Sequence, residues 1–201
     1  MQPVVSRPSR RDVLKTIGAV GALSLTGVGA AAAAKSSEKT FGEGHGIGAF
    51  LNERAAYKPS PVWSSGVVDA TGQDTVEVVV GAMTNVEMPN APFEELPVAF
   101  APQAVAVSPG TTVRWVWPSY GAPVPPIPHD VVSLDGGVES LDSEMKMPGA
   151  DYTYTFDEVG TTLYYCTPHG APFPVHPHGQ PPEARIYNEF GMRGAVLVVE
   201  D

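Results

Sequence analysis

The sequence predicts an all-β domain, a sandwich or barrel of short strands joined by long loops. Three observations predict it. Runs of β-branched and aromatic residues recur from Val67 to the C-terminal end. Turn residues separate these runs, and Gly and Pro number 21 each among 201 residues. No long amphipathic helical period interrupts them.

The elements follow in chain order. Residues 9–15 read "SRRDVLK", and "TIGAVGALSLTGVGAAAAA" then runs to Ala34 without a charge. A basic start, an apolar stretch and small residues for cleavage make residues 1–34 a signal peptide, and the paired arginines resemble the twin-arginine export signal. The competing expectation is one retained membrane anchor. Residues 35–65 read as a linker or N-terminal flap, with one helical turn around Ala49–Ala56 and a solvated loop histidine, His45.

From residue 66 onward the texture is β. "DTVEVVVGAM" predicts a strand from Asp74, and "QAVAVSPGTTVRWVW" predicts two strands around a hairpin or corner at Ser108-Pro109-Gly110. "HDVVSL", "YTYTFDEVGTTLYYC" and "GAVLVVED" continue the pattern. Val76, Val78 and Val80, with Val113, Trp115 and Trp117, are expected inside. Proline-rich loops are expected at 86–97, 118–128 and 170–182.

The charge balance is acidic, with 12 Lys+Arg against 22 Asp+Glu. Residues 1–34 hold four of the bases and one acid, so the remainder carries 12 − 4 = 8 bases and 22 − 1 = 21 acids, a net of −13. Such a surface repels nucleic acid and suits concentrated salt. Cys166 is the only cysteine, so no internal disulfide forms. On composition alone it reads as a buried, inert thiol.

Position changes that reading. Cys166 ends a strand, His169 follows two residues on, Met192 precedes the last strand and His129 opens "HDVVSL" far upstream. Two imidazoles, a thiolate and a thioether form the ligand set of a blue-copper centre. The thiolate stabilises Cu(II), imidazoles suit both oxidation states, and the weak thioether biases the potential. Met145 and Met147 are alternative thioethers, but core filling or loop surface suits them better.

On these motifs the region from about Val67 to Asp201 resembles the cupredoxins, and within them the halocyanins of salt-loving archaea. "VVDATGQDTVEVVVGA", "SPGTTVRWVW", "HDVVSLDGG", "TFDEVGTTLYYCTPH" and "GMRGAVLVVED" carry the resemblance. It implies a Greek-key β-sandwich over residues 66–201 with an insertion at 170–190. It further implies one type 1 copper per chain, held by His129, Cys166, His169 and Met192 and cycling between Cu(I) and Cu(II). The implied function is not enzymatic. It is single-electron shuttling between redox protein partners outside the cytoplasm, by a monomer that is soluble or peripheral to the membrane.

Two features depart from the family pattern. Relatives usually have Asn after the first histidine, where this chain has Asp130. A carboxylate accepts the same hydrogen bonds and is expected to lower the copper potential. Relatives also place only a few residues between the second histidine and the methionine, whereas 22 intervene here, Gly170 to Gly191. That insertion is expected to cover the His169 edge or to form a docking surface. Its "HPHG", with His176 and His178, keeps open a small copper oxidase or reductase with a second copper site; a copper-binding or copper-delivery module with no redox partner is a further alternative.

Overall fold

The computed structural model describes residues 46–52, 66–86, 94–170 and 190–200, all within the unit Ser36–Asp201. The expected signal peptide, His45, His176 and His178 lie outside the described residues. Among the described residues no helix is long and apolar enough to cross a membrane.

Among the described residues, nine strands form two sheets. One sheet orders β1 (Val68–Asp69), β4 (Ala104–Val107), β9 (Arg193–Val198), β8 (Gly160–Tyr165) and β6 (Val132–Ser133). The other orders β3 (Glu95–Ala101), β2 (Thr75–Asn85), β5 (Thr111–Val116) and β7 (Asp151–Phe156). The fold is the predicted all-β class, a sandwich of two sheets. β2 and β5 pair in parallel, with Val76 opposite Val113 and Val78 opposite Trp115. Strand alternation therefore puts the expected valines and tryptophans on one inner face, where all six join a single buried cluster. Ser108-Pro109-Gly110 is a corner rather than a hairpin, since β4 and β5 lie in different sheets. Gly110 takes a φ of 87° there, which a side chain would resist.

Two elements differ from expectation. Residues 95–101 fall partly in the expected loop 86–97, yet they form β3. Pro97 hides this strand from a sequence reading, because proline donates no ladder hydrogen bond. β3 is an edge strand, the place where a proline is tolerated. The N-terminal helical turn lies at Ile47–Leu51, earlier than the expected 49–56, after Gly46 at φ 71°. Its Ile47, Phe50 and Leu51 are buried with Ala195 and Leu197 of β9. β9 is thus covered on both faces, and every residue from Arg193 to Val198 is buried.

Around Trp115 the core is aromatic. Tyr164 meets it edge-on at 5.6 Å and Phe100 meets Tyr164 at 4.9 Å. Such pairs add about 1 kcal/mol each beyond area burial. Tyr164 stands opposite Gly194 across β8 and β9, and a Cβ on Gly194 would collide with the Tyr164 ring. This packing fixes β8, the strand that ends one residue before Cys166.

Candidate metal centre

Three segments converge at one end of the sandwich. His129 lies just before β6 and pairs with Lys146: its amide donates to the Lys146 carbonyl at 3.0 Å, and the Lys146 amide donates back at 2.8 Å. Cys166 follows β8. The turn Thr167–Gly170 then folds back, so that the amides of His169 and Gly170 both donate to the Cys166 carbonyl, at 3.1 and 2.7 Å. Met192 closes the set, taking the Cys166 amide on its carbonyl at 3.0 Å and donating its own amide to His169 at 3.1 Å. Gly170 presses against the Met192 backbone so closely that any Cβ would overlap it. The two ends of the long insertion are therefore stitched together at the candidate ligands themselves.

The donor atoms face one another. His129 Nδ1 and His169 Nδ1 are 3.1 Å apart, and the Cys166 Sγ lies 3.5 Å from the first and 3.3 Å from the second. All three residues are buried and form one candidate cluster for a metal ion. The centre of a triangle with those sides lies about 1.9 Å from each corner, close to a first-row metal–ligand bond. Two imidazole nitrogens and a sulfur aimed at one point also repel unless a cation or a shared proton lies between them. The donor set thus fits a soft-ligand metal such as copper. Met192 is fully buried in the same cluster as Cys166, while Met145 and Met147 are half exposed.

Protonation agrees with this use. Burial pushes His129 down to about 3, helped by the neighbouring His169, and burial pushes His169 down to about 4. Both imidazoles are neutral at pH 7, as ligands must be. Burial raises the Cys166 thiol well above its ordinary value, and the Asp130 carboxylate raises it further. Without a cation, Cys166 keeps its proton.

The surrounding residues hold the candidate ligands in place. Asp130 Oδ1 accepts the Thr167 amide at 2.6 Å, bracing the turn between Cys166 and His169. Gly81, at φ 79° beside a register shift in β2, lets the backbone approach His129; a Cβ there would sit 3.0 Å from His129 Nε2. That nitrogen is buried without a hydrogen bond of good geometry. Phe190, at the returning end of the insertion, is buried, and its ring centroid is 6.0 Å from that of His169. The sequence reading did not name Gly81, Phe190 or Arg193. A glycine inside a valine-rich strand and an arginine opening an apolar one were the available signals.

Residues 90–175 match the model of copper binding proteins of the plastocyanin/azurin family. This stretch belongs to that family. Its cofactor is copper. The chain is also 36% identical over 111 residues to a halocyanin of Natronomonas pharaonis, covering 55% of this chain and 58% of that protein. The chain therefore spans little more than half the length of that relative. Among solved structures, amicyanin from Paracoccus versutus is 23% identical over 63% of this chain and 82% of its own, with a TM-score of 0.37. A copper-containing nitrite reductase from Thermus scotoductus is 21% identical, covering 71% of this chain and 25% of its own, with a TM-score of 0.37.

Proposed function

We propose that the domain matched by the plastocyanin/azurin family is a type 1 copper electron carrier, in which His129, Cys166 and His169 would hold the metal and Met192 would supply a weak thioether. The mutual approach of three buried donors, within 3.5 Å of one another, carries this reading. When bound, copper supplies a one-electron couple. The chain supplies the rest. Neutral His129 and His169 present lone pairs, and Cys166 gives up its proton to become the thiolate. The hydrogen bonds among Cys166, His169, Gly170, Met192 and Asp130 restrain the ligands, which keeps reorganisation small. Burial of His129, Cys166 and His169 limits the access of water to the donors, as a one-electron carrier requires. In this reading residues 1–34 direct twin-arginine export, and donor and acceptor are redox proteins outside the cytoplasm.

The test is an absorption and EPR spectrum of the copper-loaded chain. One strongly absorbing thiolate-bound copper per chain is expected, and Cys166→Ser should remove the colour while the apo-protein stays folded. Colour that persists in Cys166→Ser overturns the assignment. A second, pale copper with turnover of oxygen or nitrite would establish the enzyme instead. Exchangeable Cu(I) without the thiolate band would establish delivery.

A further inference from the structure

We propose that Arg193 is a positioning residue for the metal centre, and that through it the N-terminal turn Ile47–Leu51 forms part of the centre's frame. Arg193 and this turn both lie outside the stretch matched by the family model. The proposal rests on the copper reading above and adds to it a charge and a tether.

Alternation places Arg193 opposite Met192. Met192 points into the core that holds Cys166, and the next residue points to the other face of β9, where Phe50 and Leu51 pack. Arg193 is 3% exposed. A buried guanidinium stays charged, so its donors must be met where it lies. Its Nε donates to the Gly170 carbonyl at 2.8 Å, and one terminal nitrogen donates to the Phe50 carbonyl at 3.0 Å. The guanidinium carbon also lies 5.3 Å from the centroid of the Phe50 ring, in cation–π range.

These contacts link two remote parts of the chain. The Gly170 carbonyl belongs to the residue after His169, at the point where the long insertion departs. The Gly170 amide already donates to Cys166. Arg193 therefore pins the outgoing end of the ligand turn, while Asp130 pins its beginning at Thr167. The second anchor of Arg193 is the carbonyl of Phe50, whose own position is set by burial against β9. Lysine has one charged nitrogen and no planar fork, so it does not reproduce both bonds in the same geometry.

The charge has a second consequence. A permanent cation held in a poorly polarisable interior beside the ligands favours the metal state with less positive charge. Arg193 thus raises the reduction potential, and Asp130, of opposite sign, lowers it. The ligand turn is held between the two.

The test uses the full-length copper-loaded chain with Arg193→Met, Arg193→Lys and Phe50→Ala. The readouts are the midpoint potential, the EPR copper hyperfine splitting, the rate of copper loss to a chelator and the thermal midpoint of the apo-protein. Arg193→Met should lower the potential, change the hyperfine splitting and speed copper loss severalfold. Arg193→Lys should recover most of the potential while the splitting stays altered. Phe50→Ala keeps the charge, so it should shift the splitting with little change in potential. Wild-type potential and splitting in Arg193→Met, whatever its thermal midpoint, would show a residue that merely glues the N-terminal turn and would overturn the proposal. If Arg193→Met does not load copper, Phe50→Ala and Arg193→Lys decide: wild-type splitting in both overturns it. A wild-type chain without the thiolate-to-copper band sinks the copper reading first, a result separable from any variant's.

Discussion

The Cys166 amide donates to the Met192 carbonyl at 3.0 Å, although 25 residues separate them in the chain. With the Gly170 contact, this bond closes the base of the insertion on the backbone of two proposed ligands. Replacing residues 171–189 by a short glycine-containing link should therefore leave the visible and EPR spectra of the copper form unchanged. Loop-closure entropy predicts a gain on the order of 1–2 kcal/mol in apo stability from the shorter loop. Urea unfolding of both forms measures it, and a lost or shifted copper band would show that the insertion itself shapes the site.

Gly81 makes the complementary prediction. Its φ of 79° and the His129 ring beside it both exclude a side chain. Gly81→Ala should cost about 2–3 kcal/mol, part from backbone strain and part from displacing the imidazole. It should also alter the copper hyperfine splitting, because the ring it moves is a proposed ligand. Denaturant unfolding of the apo form and EPR of the loaded form check the two halves separately.

The buried imidazoles fix the pH response of the apo-protein. His129 and His169 titrate near 3 and 4 when folded and near 6.5 when unfolded. Below 6.5 the unfolded chain binds more protons, so stability falls with acid, and it is unaffected by these groups above 6.5. Between pH 7.5 and 5.5 the loss should be about 2–3 kcal/mol for the pair. The apo variant with both histidines replaced by Gln should lose this slope. Urea unfolding across that window measures both proteins.

Asp130→Asn keeps an oxygen that can accept the Thr167 amide and removes a negative charge beside the ligands. The copper potential should rise, with the fold and colour retained. A mediator titration checks the direction; an unchanged or lower potential contradicts the charge argument.

The three methionines near the site separate by burial. Met192→Leu preserves volume, so it should cost under about 1.5 kcal/mol while changing the EPR symmetry of the copper. Met145→Leu and Met147→Leu, at half-exposed positions, should change neither stability nor spectra.

Much of this arrangement is legible in the sequence because its signals are local. β-branched runs name the inner valines, and Cys-x-x-His with a distant strand-opening histidine names the three donors. What escapes is set by contacts between segments far apart. Pro97 masks β3, because only its edge position makes the proline acceptable. Arg193 looks like one polar residue in "GMRG" until Gly170 and Phe50 are seen to receive it. Gly81 looks like a weak point in a strand until His129 is found against it.

Phe190 gives the centre its barrier. Its ring stands tilted beside His169, which is only 5% exposed, and packs with Val86, Leu96 and Val98 at the ends of β2 and β3. Small anions and peroxides that attack open copper centres by direct coordination find no exposed imidazole edge here. In the carrier reading, with His169 as the exit, the Phe190 ring adds distance there, and the domain gives up some exchange rate for chemical insulation. Trimming Phe190 to alanine should then speed electron exchange of the copper-loaded chain with a small-molecule mediator and speed its bleaching by peroxide.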